Sequence, residues 1–498
     1  MQRHVLWAAF AATLALTACG GDSDSPAPAP TPAPTPAPGP APAPGPAPAS
    51  EFIQPLDTAT LRSAPAKAAP EAVSRLPAGA QVARVTLGAL PASRKAQAAP
   101  KDGPLQIGQG RAVAATAASA DLARHLNWKT LADGSQVAAV AFEAEGAQAI
   151  RLGVRVEAVP AGAVLRFHGA GGGQVTEIDA AAIARLRELN EAAGVRGDDA
   201  RMVWGPDTEG AVGTLEVQLP AGVAPGQLQL AVPQLSHLTQ TVAQAIATPA
   251  KDVGDSGSCN LDVMCSVYQT ESRAVARMVF TKGGGTFLCT GTLMNDTRNS
   301  QTPYFLTAAH CISDQATAST LVTYWFFRSA SCNGSQRDAN AVALGGGANL
   351  LYANARIDST LLQLNARPPA NVVYAGSYFG ASFVANADVL GIHHPSGDWQ
   401  KFSVGSLRGY ANCSETASGS SCSPSNVNEG AMFQVGWRNG TTEGGSSGSA
   451  IFAQQNDTRY VVGSLFGGSA SCQNPSGTDY YGRFQLSFAD GIKRWLAP

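Results

Sequence analysis

Three short stretches of the sequence contain side chains that together could carry out acyl transfer. "EGGSSGSAIF" (443–452) places serines among glycines before an apolar run, "YFLTAAHC" (304–311) contains His310, and "ARIDSTLLQL" (355–364) contains Asp358. A serine hydroxyl is a weak nucleophile, so an imidazole must take its proton and later return it to the leaving group. A carboxylate must hold that imidazole in the correct tautomer. Each stretch alone is also typical of an ordinary turn or linker.

The order of these residues along the chain makes the chemical interpretation more specific. Asp358 follows His310 by 48 residues, and Ser447 follows Asp358 by 89. The order His, Asp, Ser resembles the chymotrypsin-type arrangement and differs from the subtilisin and α/β-hydrolase orders. The sequence therefore predicts a catalytic triad of His310, Asp358 and Ser447.

The glycines around the serines select the expected nucleophile. Ser447 is followed by Gly448 and preceded two residues earlier by Gly445, which gives the pattern Gly-x-Ser-Gly. Ser446 and Ser449 are the alternatives. Glycine lets backbone amides turn towards a developing oxyanion, and the amides of Gly445 and Ser447 are predicted to form that oxyanion hole.

The amino terminus predicts export and lipid attachment. The apolar run from Val5 to Leu16 follows basic residues and is too short to span a bilayer. "LTAC" resembles a lipoprotein box, which predicts a signal peptide over 1–18, acylation of Cys19 and, because Gly20 follows, anchoring to the outer membrane of a bacterial envelope. An ordinary signal peptide is the alternative, and a mature enzyme could also be released as a secreted protease. Residues 19–59 are expected to form a Pro/Ala-rich stalk.

The cysteine count also indicates an oxidising compartment. Of nine cysteines, the eight other than Cys19 all lie in the second half of the chain. An even set in an exported chain is typical of disulfides. A zinc site is the competing interpretation, but the sequence contains neither a CxxC pair nor an HExxH motif, so no metal and no cofactor is predicted. The 34 basic and 36 acidic residues give no indication of a nucleic-acid partner.

Composition divides the remaining chain into two parts. Residues 60–250 begin with an Ala-, Pro- and Lys-rich stretch and continue with strand-like patterns, interrupted by one predicted helix over 177–193. Residues 251–498 show short strands, many Gly, Ser and Asn turns, and a predicted helix in "FADGIKRWLAP". The expectation is an all-β barrel or sandwich preceded by a smaller β-rich domain.

Six ordered blocks in residues 254–498 carry a resemblance to a known family: "GSCNLDVMC", "CTGTLMNDT", "YFLTAAHC", "GIHHPSGD", "EGGSSGS" and "DYYGR". They resemble the bacterial lysyl endopeptidases of the chymotrypsin clan. The resemblance implies a chymotrypsin-like pair of six-stranded β-barrels with a C-terminal helix, the triad already named, and peptide-bond hydrolysis through an acyl-enzyme. The preceding β-rich region resembles the propeptides of such precursors.

The same resemblance implies disulfide pairings. The family pattern carries over to Cys259–Cys472, Cys265–Cys332 and Cys289–Cys311. Cys413 and Cys422 remain, and we expect them to pair with each other.

The resemblance also locates a specificity residue. Trypsin's pocket carboxylate lies six residues before its nucleophile, and that position is the uncharged Thr441 here. In the lysyl endopeptidases the acid lies in the segment matching "SGTDYYGRF", which indicates Asp479. A buried carboxylate disfavours neutral side chains, so cleavage after Lys is expected, with Arg as the second candidate. The alternative is that Asp479 caps a turn.

Maturation follows a different pattern from that of the digestive proteases. Ser446 stands where trypsin has the aspartate that captures its new amino terminus, so the pro-domain is expected to act as a folding aid or inhibitor, removed near Lys251. The predicted partners are polypeptides with basic residues, the chain's own pro-domain and a membrane reached through the lipid. Two rival functions remain, an inactive binding or adhesion lipoprotein and an esterase.

Overall fold

The computed structural model describes residues 51–61, 72–90, 103–170, 174–239, 256–380, 386–416 and 419–498. The signal peptide, Cys19, most of the predicted stalk and the linker around Lys251 lie outside these residues. The described residues belong to one compact unit. None of their helices has the length and apolar character needed to cross a bilayer.

A short segment, residues 51–61, opens the described chain and is called the docked segment below. It contains β1 (Phe52–Ile53), β2 (Leu56–Asp57) and one 3-10 turn (Thr58–Thr60). The sequence placed residues 51–59 in the stalk, but the structure pairs them with other strands and buries Ile53 to 2% exposure. The physical reason is that "FIQPL" supplies apolar side chains that the Pro/Ala repeat lacks.

The described residues between 72 and 239 form the amino-terminal domain, with ten strands and two α-helices among them. The elements are β3 (Ala83–Leu87), β4 (Leu105–Ala112), α1 (Ser119–Ala123), β5 (Lys129–Thr130), β6 (Gln136–Ala144), β7 (Ala149–Ala158), β8 (Val164–Gly169), β9 (Thr176–Asp179), α2 (Ala180–Ala192), β10 (Met202–Glu209), β11 (Val212–Leu219) and β12 (Gln229–Leu238). A six-stranded sheet pairs β3, β6, β11, β8 and β9 in that order, with β5 at the edge of β6. The apolar faces of this sheet, of α2 and of strands β7, β10 and β12 pack into one core.

The predicted helix over 177–193 begins later than its apolar spacing indicates. Residues 177–179 belong to β9, and α2 starts at Ala180. The carboxylate of Asp179 accepts a hydrogen bond from the amide of Ala182 at 2.7 Å. Asp179 therefore caps the helix amino terminus and fixes where the helix begins.

Residues 256–498 form the carboxyl-terminal body. Its elements are β13 (Leu261–Asp262), α3 (Gln269–Ser272), β14 (Val275–Lys282), β15 (Gly285–Met294), β16 (Tyr304–Thr307), α4 (Gln315–Ala318), β17 (Val322–Trp325), β18 (Val342–Leu344), β19 (Ala348–Asn354), β20 (Ser359–Leu364), β21 (Val373–Tyr374), β22 (Ser377–Tyr378), β23 (Asp388–His393), β24 (Lys401–Thr416), β25 (Gly419–Ser425), β26 (Met432–Asn439), β27 (Ala450–Gln455), β28 (Thr458–Gly468), β29 (Asp479–Arg483), α5 (Phe484–Ser487) and α6 (Lys493–Leu496), with a π-helical turn between the last two helices.

The body contains two barrel-like sheets. In the second, β28, β27, β23, β24, β26 and β29 pair in sequence, and β29 pairs again with β28, which closes a six-stranded ring. In the first, seven strands pair in the order β18, β17, β14, β15, β16, β20 and β19. The prediction of an all-β, chymotrypsin-like double barrel with a short C-terminal helix and a smaller β-rich domain before it is confirmed.

The amino-terminal domain and the first barrel share one sheet. Strands β10, β7, β12 and β4 continue directly into β15, with Leu105 opposite Leu288 and Gln109 opposite Gly285. The sequence indicated two domains joined by a linker, whereas the structure joins them edge to edge. Each strand edge carries unpaired amides and carbonyls, and pairing β4 with β15 satisfies both edges.

Four disulfides lie within the body. They join the same four pairs of cysteines named above: Cys259–Cys472, Cys265–Cys332, Cys289–Cys311 and Cys413–Cys422. The first closes a separation of 213 residues, which ties the start of the body to a loop of the second barrel.

Candidate active site

His310 lies directly after the strand and turn of "YFLTAAH" and is held by Asp358. The imidazole Nδ1 lies 2.8 Å from Asp358 Oδ2, and the His310 amide donates to Oδ1, also at 2.8 Å. Both side chains are only 2% exposed. A carboxylate beside Nδ1 keeps the proton there, so Nε2 is left as an acceptor. Nε2 is buried and has no hydrogen-bond partner within the described residues.

Asp358 occupies a turn that its neighbours hold in an unusual conformation. Its φ is 49°, in the left-handed region that non-glycine residues seldom adopt. The Asn354 side chain accepts from the amides of Arg356 and Ile357 and so stabilises the turn. Gly482 of β29 lies against it, where a Cβ would come within 1.9 Å of the Ile357 carbonyl oxygen. The second barrel therefore supports the carboxylate of the first.

The segment around Ser447 forms a tight glycine turn. Gly445 and Gly448 have φ values of 91° and 80°, and a Cβ on Gly448 would lie 2.2 Å from Thr307 Oγ1. Thr290 of β15 fixes the turn from the other side. Its amide donates to the Ser447 carbonyl at 2.8 Å, and its hydroxyl donates to the Gly445 carbonyl at 2.9 Å.

These contacts occupy the carbonyls of Gly445 and Ser447, whereas the amides of the same two residues have no acceptor among the described residues. Within the part of the chain that the structure describes, the Gly445 and Ser447 amides make no hydrogen bond. The Ser447 hydroxyl likewise makes none to Nε2 of His310 there. The turn nevertheless packs on the strand end that carries this histidine, since Gly448 lies against Thr307 and Ala308.

The neighbouring serines have different surroundings. The Ser446 hydroxyl lies 2.8 Å from His393 Nδ1, and both Ser446 and Ser449 are fully buried. Ser447 is 5% exposed. His393 Nε2 lies 3.1 Å from the hydroxyl of Ser403, which donates to the backbone carbonyl at position 441.

The "GIHHPSGD" block therefore supports the glycine turn around Ser447 through the Ser446 hydroxyl. The sequence of this block alone predicts a structural or cleft-lining loop and gives neither histidine a partner. Burial lowers the pKa of His393 and of His394 to about 3, so both rings are neutral at ordinary pH. Adjacent histidines in an apolar block are the only signal in the sequence, and they do not identify Ser446 as a partner.

Glu443 connects the same turn to the start of the body. Its Oε1 accepts from the Gly257 amide and the Asn260 side chain, both at 2.9 Å, and its Oε2 accepts from Ser396 at 2.9 Å. Its backbone carbonyl accepts from the Ser446 amide. Glu443 thus links three segments by hydrogen bonds to neutral donors. The sequence analysis did not single out this residue.

Asp479 lies at the start of β29 and is 1% exposed. Its Oδ2 accepts from the indole of Trp437 at 2.6 Å and from Thr442 at 2.7 Å, while Oδ1 accepts from the Ala470 amide at 3.3 Å. Burial, together with the Asp479 charge, raises the pKa of Tyr481. Asp479 therefore contacts Thr442, which precedes the glycine turn around Ser447, and also the loop that contains Ala470.

The comparisons with known proteins cover both parts of the chain. The family model described as "Lysyl endopeptidase, C-terminal domain" matches residues 253–482, and "Lysyl endopeptidase N-terminal domain" matches residues 75–239. A protein named lysyl endopeptidase from Pseudomonas aeruginosa is 35% identical over 465 residues, which cover 89% of this chain and 93% of that relative. The chain belongs to the lysyl endopeptidase family. It is accordingly a serine protease.

Other similar proteins match this lysyl endopeptidase homologue over shorter stretches. "Secreted RxLR effector protein 73" of Plasmopara viticola is 29% identical over 188 residues, 36% of this chain and 42% of that protein. Among solved structures, the MamO protease domain of Magnetospirillum magneticum has a TM-score of 0.30 at 10% identity, covering 45% of this chain and 98% of its own. The Anisep protease of Arthrobacter nicotinovorans has a TM-score of 0.31 at 18% identity, covering 46% and 98%.

In this member of the lysyl endopeptidase family, the amino-terminal domain reaches the edge of the candidate site. Leu105 of β4 pairs with Leu288, the residue before Cys289 and two before Thr290. The Leu105 side chain lies against the glycine turn that precedes Ser447. A Cβ built on Gly444 would be 3.5 Å from Leu105 Cδ1. No pattern in the sequence predicts that β4 pairs with β15.

A disulfide adjoins the imidazole. The sulfurs of Cys289 and Cys311 and a ring nitrogen of His310 lie within 4.8 Å of one another. Because the two sulfurs are bonded to each other, neither is a thiolate that could bind a metal. The bond instead joins the strand that carries Thr290 to the turn that carries the histidine.

Proposed function

We propose that this protein is a serine endopeptidase that cleaves peptide bonds after Lys, with Arg as a second substrate, using His310, Asp358 and Ser447. The observation that carries the proposal is the buried His310–Asp358 pair, whose imidazole Nε2 has no described partner, on a strand end against which the glycine turn of Ser447 packs. The amides of Gly445 and Ser447 in that turn have no described acceptor. An inactive binding protein would need neither feature. The comparisons favour a protease over a binding lipoprotein or an esterase.

The mechanism follows from the positions of these groups. Nε2 of His310 takes the hydroxyl proton as Ser447 Oγ bonds to the substrate carbonyl carbon. The oxyanion accepts hydrogen bonds from the amides of Gly445 and Ser447. When the C–N bond breaks, the imidazolium returns the proton to the leaving amine and an acyl ester remains. Water then attacks the ester while the same imidazole takes its proton. The bond between the acyl carbon and Ser447 Oγ breaks, the imidazolium returns the proton to Oγ, and the acid product leaves.

Asp358 acts on the imidazole in this mechanism. The hydrogen bond between Nδ1 and Oδ2 fixes the ring and its tautomer, while the His310 backbone amide holds Oδ1 in place. The carboxylate also stabilises the imidazolium that forms during each step. Replacing it by asparagine is expected to lower kcat about 10⁴-fold. Replacing Ser447 by alanine is expected to lower it about 10⁶-fold.

Asp479 is proposed to select the basic side chain. Its carboxylate is almost fully buried beside Trp437 and Thr442, so its negative charge is poorly screened by solvent. A substrate ammonium that reached this carboxylate would add a charge of opposite sign, which a neutral side chain cannot supply. The indole and hydroxyl donors hold the carboxylate in place for that cation.

The test is mass-spectrometric mapping of the bonds cut in an unfolded protein substrate. The chain, after removal of its amino-terminal domain, is compared with its Ser447→Ala and Asp479→Asn variants. We expect cuts after lysine, no cuts by Ser447→Ala, and loss of the basic preference in Asp479→Asn. Cuts by Ser447→Ala would refute the nucleophile, and an unchanged preference in Asp479→Asn would refute the pocket. No cuts by the unsubstituted enzyme would favour the binding-protein alternative.

The amino-terminal domain is proposed to be a pro-domain that restrains the enzyme. Strand β4 covers the edge of β15, and Leu105 lies against Gly444, next to the proposed oxyanion hole. An extended substrate adding to the same edge would have to displace it. The restraint is therefore steric and needs no ion pair at a new amino terminus.

Hydrolysis of a chromogenic lysyl amide tests this restraint. The intact full chain is expected to be at least tenfold less active than the chain cut within 240–255 and freed of its pro-domain. Leu105→Asp should raise the activity of the intact chain, because a carboxylate against Leu288 loosens β4. Val82→Asp, at a surface position 36% exposed, is the matched control. Equal activities of the intact and the processed chain would contradict the proposal.

Export with lipid attachment at Cys19 remains part of the proposed function. It rests on the sequence of residues 1–20, with the outer membrane as the expected site. Metabolic labelling with a radioactive fatty acid should mark the unsubstituted chain and not the Cys19→Ala variant. Equal labelling of the two would exclude the site, and the absence of label in both would favour an ordinary signal peptide.

A further inference from the structure

The docked segment contacts both barrels of the carboxyl-terminal body. On the side of the first barrel, Asp57 pairs with Arg273, whose Nη1 lies 2.9 Å from Oδ1. The Gln54 carbonyl accepts from the Asn295 side chain at 2.8 Å. On the side of the second barrel, the Tyr460 hydroxyl donates to Gln54 Oε1 at 2.8 Å. One short peptide thus bridges the two halves of the protease.

Main-chain pairing places the docked segment along the connection between the barrels. Strand β1 pairs with β22 and β2 pairs with β21, and both partners lie between the last strand of the first barrel and the first strand of the second. The Phe379 amide donates to the Glu51 carbonyl at 3.0 Å, and the Thr58 amide donates to the Val372 carbonyl at 3.2 Å. This is strand addition to an open edge, a common mode of peptide binding.

Two apolar side chains anchor the docked segment. Ile53 is 2% exposed and belongs to a core cluster that contains residues of both barrels. The Phe52 ring lies 4.8 Å from the ring of Tyr378 and 4.8 Å from that of Tyr460. The contacts described here join the segment to residues between 273 and 460, so they do not depend on the amino-terminal domain.

We propose that the docked segment stays bound to the carboxyl-terminal body after the chain is cut on both sides of the amino-terminal domain. The region before residue 51 then accompanies the mature protease without a covalent link. The body carries a permanent binding site for a segment of its own precursor. This proposal rests on the proposed function for the cut within 240–255, and it adds a second cut between the docked segment and the amino-terminal domain.

The experiment cuts the chain with an external protease, so it does not depend on the activity of the enzyme itself. The full chain with Ser447→Ala receives one recognition site for a sequence-specific protease within 62–71 and another within 240–255. After digestion, native size-exclusion chromatography separates the products, and mass spectrometry follows peptides from residues 51–61. We expect most of the docked segment to elute with the body.

Two variants distinguish binding at this site from other attachment. Ile53→Asp should free the segment from the digested chain, and Phe52→Ala should lower the retained fraction severalfold. Leu61→Asp, at a position 37% exposed, is the matched control and should retain the segment. Separation of the unsubstituted segment from a folded body would overturn the proposal. Retention in both Ile53→Asp and Phe52→Ala would overturn it as well.

Discussion

Two segments that precede the carboxyl-terminal body in sequence both attach to it by strand pairing, but in different places. Strand β4 pairs with β15, and Thr290 of β15 donates a hydrogen bond to the carbonyl of Gly445 in the glycine turn around Ser447. The docked segment pairs with β21 and β22, in the connection between the barrels. The first attachment therefore lies beside the candidate site, while the second lies along the connection between the barrels.

The two attachments also differ in their buried polar contacts. From the amino-terminal domain, the fully buried Arg151 donates to the carbonyl of Thr320 at 2.8 Å and to Thr281 Oγ1 at 3.3 Å. The ion pair of the docked segment is partly exposed, with Asp57 and Arg273 side chains 24% and 18% exposed. A buried donor without its acceptors costs far more than a solvated ion pair. The comparison predicts unequal responses to mutation.

The largest effect of a single substitution is expected at Arg151. Arg151→Ala removes a buried guanidinium and leaves the Thr320 carbonyl without this donor, which should destabilise the chain by about 2–3 kcal/mol. Burial already lowers the pKa of this arginine to about 10, yet it stays charged at neutral pH. The measurement is the denaturant midpoint of the Ser447→Ala chain. Arg187→Ala, on an exposed face of α2, should change the free energy of unfolding derived from that midpoint by less than about 0.5 kcal/mol. Equal shifts would remove the distinction between buried and exposed contacts.

As the pH falls, the carboxyl-terminal body is expected to lose stability at a higher pH than the docked segment loses its contacts. His393 and His394 have folded pKa values of about 3 against 6.5 when unfolded, so their contribution is complete above pH 6.5 and is lost as the pH falls towards 3. Each should cost about 2 kcal/mol between pH 7 and 4.5. Asp398, whose burial raises its pKa to about 6, partly offsets this loss. A urea midpoint that did not fall between pH 7 and 4.5 would contradict the assignment, and His393→Gln should make the fall shallower.

A smaller, local effect is expected from Phe52→Ala in the intact chain. Loss of two aromatic contacts should weaken the docked segment by about 1 kcal/mol. Hydrogen exchange should quicken at residues 51–61 and stay unchanged in β4. Quickened exchange in β4 would show that the two attachments are coupled, and the comparison would then fail.

The smallest effect is expected from the ion pair of the docked segment. Asp57→Asn should cost about 0.5 kcal/mol in local opening, since the pair is partly solvated. Although burial opposes it, the hydrogen bonds from Arg273 and Ala59 and the arginine charge lower the pKa of Asp57. Its contribution is therefore present above pH 3.8 and is lost as the pH falls below that value. Hydrogen exchange at pH 7 and pH 4.5 should give the same difference between Asp57→Asn and the unsubstituted chain.

The sequence allowed the architecture and the candidate site to be predicted to different extents. The alternating strands, the Gly and Ser turns and the family blocks predicted the double barrel, because these signals are local. The positions of His310, Asp358 and Ser447 rested on chain order and resemblance. The left-handed turn at Asp358 could not be inferred, since it depends on the distant Gly482.

The attachments themselves could not be predicted. Pairing of Leu105 with Leu288, or of Ile53 with Ser377, joins residues far apart in sequence, and an apolar alternation does not name its partner. Residues 51–59 of the docked segment fall in the predicted stalk, because only a few apolar residues follow the Pro/Ala repeat. The role of Glu443 could not be predicted either, because the sequence of a glycine-rich loop does not show whether its carboxylate is hydrogen-bonded within the protein or solvated.

The pairing of β4 with β15 has a consequence for solubility. An open strand edge is a template on which other chains can aggregate. In the full chain, β4 covers the edge of β15 from Gly285 to Leu288, while Thr292–Met294 pair with β16. Removal of the amino-terminal domain would uncover the first of these two stretches, so we expect the domain to keep Gly285–Leu288 from pairing with another chain for as long as the two remain together.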